Sequence, residues 1–128
     1  VAGGGIYSPP RLVKMVVNDE GMVERVIEPG DKRRVVSENT AKTLQGMLER
    51  VTREGTGIEA WVGNLGSAGK TGSAQSGNER IDAWFSGYAP LDSPRYVVTV
   101  LVKDGESGGQ TAAPLFREIM QEILQMEK

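Results

Sequence analysis

The sequence predicts an α+β fold, an antiparallel β-meander with helices packed against it. Residues 68–75, 81–88 and 95–102 read as three strands with short polar connections, and short connections favour antiparallel neighbours. Near the end of the chain Ala112, Leu115, Phe116, Ile119, Met120, Ile123 and Leu124 recur at helical spacing, which predicts a core-facing helix over 112–127. A second stripe, Ala41, Leu44, Met47, Leu48 and Val51, predicts another helix over 37–54.

Each element has its own local signal. Arg11 to Val17 and Met22 to Ile27 are β-rich runs around Asn18-Asp19-Glu20-Gly21, so 11–27 is expected to form an exposed hairpin. The basic run Lys32-Arg33-Arg34 follows Pro29-Gly30 and is expected in a solvated turn. Ser37 stands where the first helix begins, and its hydroxyl accepts from the first free N–H groups as an N-cap. Gly55 and Gly57 supply the stop near Glu54. The stretch 58–69 is loop-like and holds Trp61, with two roles open to it: lining a cleft or capping the core. In the next strand Trp84 and Phe85 point to opposite faces, and packing is expected of both. Val97 to Val102 is nearly all apolar, as for a strand covered on both faces. Pro114 fits the first turn of the final helix. No internal repeat, low-complexity segment or linker divides residues 1–128.

Composition excludes several classes. The chain has 128 residues, enough for one modest core. A net charge of −2, with Lys and Arg spread evenly among Asp and Glu, argues against a nucleic-acid partner. There is no cysteine, hence no disulfide framework and no thiol nucleophile. There is no histidine, which removes Ser-His-Asp chemistry and the usual metal ligands, and no metal or other cofactor is expected. No apolar run is long enough to cross a bilayer, so the chain itself is expected to be soluble.

The chemistry concentrates in Ala68-Gly69-Lys70-Thr71-Gly72-Ser73-Ala74-Gln75. Strand alternation sends Thr71, Ser73 and Gln75 to one face, with Lys70 leading in, and Gly72 leaves the backbone bare for a close approach. An ammonium, two hydroxyls and backbone N–H groups suit a carboxylate-bearing ligand beside a carbonyl under attack. Three neighbouring patterns are decoys. Ser67-Ala68-Gly69-Lys70 matches Ser-x-x-Lys in letters, but that chemistry needs the two residues one helical turn apart, and this stretch leads into a strand. Ser37-Glu38-Asn39 matches Ser-x-Asn, but capping explains it better. Gly66 to Thr71 is similar to a phosphate-binding loop, yet Asn64 stands where that motif wants glycine, and no helix start follows.

Lys70-Thr71-Gly72 resembles the third element of the serine penicillin-binding set. After it come Asp82-Ala83-Trp84-Phe85-Ser86-Gly87-Tyr88-Ala89-Pro90, then Arg95 to Val102, then Gly108-Gly109-Gln110-Thr111-Ala112-Ala113-Pro114-Leu115-Phe116. In this order and spacing the chain strongly resembles the C-terminal part of class B penicillin-binding proteins, the D,D-transpeptidases of peptidoglycan synthesis. Gly3-Gly4-Gly5 through Pro9-Pro10-Arg11-Leu12-Val13 extends the resemblance to nearly the whole chain. It implies the C-terminal part of a β-lactamase/transpeptidase-like fold, with Lys-Thr-Gly on the strand lining the cleft, the Trp-Phe strand paired to it and the last helix behind the sheet. It implies Lys70 as the catalytic cleft cation, and Thr71, Gly72, Ser73 and, less firmly, Gln75 as substrate-binding residues, with the Ser73 N–H as half of an oxyanion hole. The implied ligands are a peptidoglycan stem peptide and β-lactams; the implied setting is the extracytoplasmic side of a bacterial plasma membrane, with the parent anchored there.

The family's Ser-x-x-Lys and Ser-x-Asn lie far upstream of Lys-Thr-Gly, and this chain begins at Val1 in what would be mid-domain. It is therefore expected to be an excised C-terminal piece, inert by itself and partnered by the remainder of the transpeptidase domain. Relatives that act as D,D-carboxypeptidases or β-lactam sensors share Lys-Thr-Gly and stay open as parents. So does a non-catalytic interaction module using the hairpin and the Lys32 turn. The resemblance also implies further strands beside 95–102; without them that edge is exposed, and the piece is expected to self-associate. A sedimentation series showing one monomer at every concentration would contradict that.

Overall fold

The computed structural model describes residues 1–76 and 80–126, apart from the side chain of Ser76. In chain order the elements are β1 (Ile6–Tyr7), β2 (Met15–Val17), β3 (Val23–Val26), β4 (Arg33–Arg34), α1 (Glu38–Arg53), β5 (Ala68–Ser76), β6 (Arg80–Ala89), β7 (Tyr96–Val102) and α2 (Ala113–Gln125). Two 3-10 turns, Ile58–Ala60 and Gly63–Leu65, shape the loop before β5, and a π-helical turn, Gly108–Ala112, leads into α2.

The central sheet is antiparallel in the order β5-β6-β7. Its register places Lys70 opposite Ser86 and Ser86 opposite Thr99, Thr71 opposite Phe85 and Phe85 opposite Val100, and Gly72 opposite Trp84 and Trp84 opposite Leu101. Cross-strand partners share a face, so these rows alternate between the two sides of the sheet. One side carries Ala83, Phe85, Ala89 and Val100, which pack on Ala112, Ala113, Phe116 and Met120 from the π turn and α2. The Phe85 and Phe116 rings lie 4.7 Å apart at 52°. Burying each such ring stabilises the fold by about 1.5–3 kcal/mol.

Local chemistry explains α1. Ser37 has extended dihedrals, and its Oγ accepts from the Thr40 N–H at 3.1 Å. Lys42 sits one turn from Glu38 at 3.0 Å; its hydrogen bond, then its charge, hold the Glu38 carboxyl below the usual carboxylate range. At the other end the Glu54 N–H closes on the Arg50 carbonyl. Gly57 has φ −113°, so its glycine is needed for space, not for handedness: a Cβ there would stand 2.9 Å from Phe85 Cε2.

Four expectations are corrected here. Arg33 and Arg34 are solvated as expected but do not lie in a turn. They form β4, paired with Ile6 and Tyr7, and Arg34 Nη1 donates to the Gly4 and Val36 carbonyls. The strand expected to be covered on both faces is covered on one: Val97, 66% exposed, and Leu101 lie on the face away from α2. Phe85 is fully buried, whereas Trp84 is 39% exposed beside Leu101, because adjacent strand residues cannot both reach the α2 layer. The final helical segment begins earlier than 112, as the π turn from Gly108, because Ser107 caps it: Ser107 Oγ accepts from the Gln110 N–H at 3.2 Å. Glu127, the last residue of the expected helix, lies outside the described residues.

The segment expected as a hairpin over 11–27 pairs as Met15 with Val26, Val16 with Arg25 and Val17 with Val23. Asn18 Oδ1 accepts from the N–H groups of Glu20 and Met22 in the turn. Both strands are exposed throughout.

Tyr88, on β6, is 4% exposed, and its hydroxyl has no hydrogen-bond partner among the described residues. Burial, and then the charge of Glu49, push its pKa up. The folded protein thus keeps the phenol proton to higher pH than the unfolded chain does. Stability is therefore unaffected by this titration below about pH 10 and is lost as pH rises from there through the folded-state pKa. Replacing Tyr88 with Phe is expected to raise the unfolding free energy by about 1 kcal/mol at neutral pH and to remove this alkaline loss. Thermal unfolding of both proteins at about pH 8 and about pH 10.5 checks it: the gap should widen at the higher pH.

Candidate active site

The approach to β5 is fixed by two buried hydroxyls. Ser67 is fully buried, and its Oγ donates to the Ala60 carbonyl at 2.7 Å. Thr52 of α1, equally buried, shares its proton between the carbonyls of Ser67 at 2.7 Å and Glu49 at 2.9 Å. These contacts tie α1 and the loop to the first residue before the strand. They also leave the Ser67 hydroxyl spent and out of reach of solvent, so it is no nucleophile paired with Lys70.

Along β5 the sequence-predicted residues divide between two faces. Thr71, Ser73 and Gln75 alternate onto the side shared with Phe85, Ala83 and Ile81, while Lys70 and Gly72 fall on the side of Ser86 and Trp84. The lysine nevertheless returns to the strand: its Nζ donates to the Thr71 carbonyl at 2.8 Å and lies 3.5 Å from Thr71 Oγ1. Lys70, Ser73 and Gln75 are exposed, and Thr71 is half-buried. The ammonium and the Thr71 hydroxyl thus come together across the strand edge, with Ser73 two positions on. Gln75 follows two positions beyond Ser73 on the same face, opposite Ile81.

Two partners were not singled out from the sequence. Thr56, in the turn after α1, places its Oγ1 2.8 Å from Thr71 Oγ1. The Gly108 N–H, at the start of the π turn, donates to Ser73 Oγ at 3.2 Å. A side chain at Gly108 would collide with the backbone of Gly72 and Trp84, and one at Gly109 with the Thr56 carbonyl, so only a glycine pair lets this turn press against β5. The signal was available in part: Ser107-Gly108-Gly109-Gln110 has the spacing of a capping box, which marks a helical start at Gly108. Nothing local to Thr56 announces its contact with a residue 15 positions away. Trp61 is half-buried beneath Arg53, whose guanidinium carbon stands 5.3 Å from the ring, and it belongs to the loop.

A cation, two hydroxyls backed by further donors, and a strand edge form a surface for an oxyanion. A family profile described as penicillin binding protein transpeptidase domain matches residues 1–121. The chain is 37% identical to penicillin-binding protein PbpB of Mycolicibacterium smegmatis over 98% of its own length and 22% of that protein's. It is 35% identical to stage V sporulation protein D of Bacillus subtilis, over 97% of this chain and 21% of that one. The D,D-transpeptidase domain of a peptidoglycan glycosyltransferase from Eggerthella lenta superimposes with a TM-score of 0.82 at 34% identity, covering 98% of this chain and 30% of that one. The imipenem acyl-enzyme complex of penicillin-binding protein A from M. tuberculosis superimposes at 0.79 with 26% identity, over 95% and 28%. This chain belongs to the transpeptidase-domain family of class B penicillin-binding proteins and has its α+β fold. It spans about a fifth of the length of the curated relatives it matches.

Proposed function

We propose that this chain is the Lys-Thr-Gly wall of a serine D,D-transpeptidase site, the remaining wall being supplied by upstream sequence of the same protein. The observation that carries the reading is the cluster on β5: Lys70 Nζ 3.5 Å from Thr71 Oγ1, with Ser73 next on the same face as Thr71. In this reading the upstream serine attacks the carbonyl of the penultimate D-alanine of a stem peptide. The C–N bond breaks, D-alanine leaves with the proton, and an ester joins the stem to the serine. The amine of a neighbouring stem then attacks that ester, forming the cross-link and returning a proton to the serine.

Lys70 attracts the terminal carboxylate and tunes the proton network around the serines. The hydroxyls of Thr71 and Ser73 donate to the same carboxylate. The Ser73 N–H, with that of the nucleophile, stabilises the oxyanion of each tetrahedral intermediate. Gly72 serves as bare backbone, and Gln75, two positions beyond Ser73 on the same face, is the outer substrate-binding residue. A β-lactam enters as a mimic of the stem peptide and acylates the same serine. The relatives' acyl-enzyme complex with imipenem supports that step. Alone, the chain lacks the nucleophile and is inert.

Among the described residues no helix is long and apolar enough to cross a membrane. In the proposed protein the anchor lies elsewhere, and this domain faces the peptidoglycan on the extracytoplasmic side. The exposed face bearing Trp84, Val97 and Leu101 supports the rest of the transpeptidase domain as its cover.

In the full-length protein, Lys70→Ala is expected to lower the acylation rate constant for benzylpenicillin by about 100-fold or more while leaving thermal unfolding nearly unchanged. Stopped-time intact-mass measurements read it directly. A variant acylated within about threefold of wild type would remove Lys70 from the site.

A further inference from the structure

We infer that Thr56 is a positioning residue: with the Gly108 amide, it holds the two β5 hydroxyls from behind so that both present protons to a single carboxylate. This deepens the acyl-transfer reading above and rests on it.

At Ser73 the polarity follows from what its partner can do. A backbone N–H only donates, so at 3.2 Å from Gly108 N the Ser73 oxygen is the acceptor. The Ser73 proton is left for something else, and the side chain is exposed. Thr71 has a lysine donor on one contact and a hydroxyl on the other. Lys70 Nζ also only donates, and it lies 3.5 Å from Thr71 Oγ1 on one side. Thr56 Oγ1, 2.8 Å away, closes the other. Either hydroxyl of that pair can donate; in the proposed arrangement Thr56 does, the Thr71 oxygen receives, and the Thr71 proton is left for a ligand. An anion arriving at the strand then takes one proton from Thr71 and one from Ser73. Each of these bonds is strengthened by the bond behind it, since chained hydrogen bonds polarise one another. Neutral ester or amide oxygens are weaker acceptors than a carboxylate, so the arrangement selects the charged terminus.

Thr56 is held to this task by its own backbone. The turn containing it follows directly on α1, and Gly57 fits against Phe85 with no room for a side chain. Its carbonyl is covered by the Gly109 backbone, again without room for a Cβ. The hydroxyl is therefore delivered to Thr71 by the two features that also fix the core.

The test is a double-mutant cycle in the full-length protein with benzylpenicillin as probe. Thr56→Val removes the hydroxyl at nearly constant volume. It is expected to raise the dissociation constant preceding acylation by about five- to tenfold, with the acylation rate constant at saturation within about twofold of wild type. Because Thr56 acts through Thr71, the Thr56→Val/Thr71→Val double variant should bind no worse than Thr71→Val. A purely structural role for Thr56 would give effects that multiply, and that result overturns the inference even if Thr56→Val is less stable. An unchanged dissociation constant in Thr56→Val overturns it too, with wild-type acylation intact. Absence of any adduct on the wild type would instead overturn the acyl-transfer reading on which this rests.

Discussion

The register between β5 and β6 is the constraint on which the rest depends. With Phe85 opposite Thr71 and Trp84 opposite Gly72, one face of the sheet is committed to α2 and the other is not. Because side chains alternate strictly, a slip of one residue would turn Phe85 out of the core and bring Trp84 into it. Phe85 meets Phe116 at 4.7 Å, and a slipped strand would forfeit that contact. The same slip would set Trp84 or Ser86 opposite Thr71 in place of Phe85. Core packing and site geometry are therefore one choice made once.

The site is polar on a frame that is not. Behind Thr71 and Ser73 the π turn lies against the sheet through two glycines, and behind the strand's first residues Thr52 and Ser67 hold the loop by buried hydroxyls. The Gly108 N–H and the Thr56 hydroxyl thus hold β5 before any ligand arrives. Such pre-formed donors need little reorganisation when charge develops near them, which is the general advantage of a rigid oxyanion site. Lys70 differs: its ammonium rests on the Thr71 carbonyl and is exposed, so it can turn toward an incoming carboxylate without disturbing the frame.

What the sequence made legible was local chemistry. Ser37 could be read as an N-cap because the cap bond spans three residues, and the helix stripes could be read because their partners lie on one element. The hydroxyl pattern of Thr71, Ser73 and Gln75 was legible because strand alternation is a backbone property. What escaped was set by distant neighbours. Arg33 and Arg34 look like a solvated run, but Ile6 and Tyr7 recruit them into a strand. Val97 and Leu101 look like core residues, but they lie on the face away from α2 and stay exposed. Thr56 and Gly108 carry no sign that they converge on β5; only the packing of α1, the sheet and α2 brings them there.

The most direct measurement is the position of the covalent adduct. The full-length protein, acylated with benzylpenicillin and digested, should yield a penicilloyl group on a serine outside residues 1–128, in an upstream Ser-x-x-Lys. A penicilloyl group on Ser67, or on any other serine of this chain, would contradict the assignment of these residues as the Lys-Thr-Gly wall of a site whose nucleophile lies elsewhere.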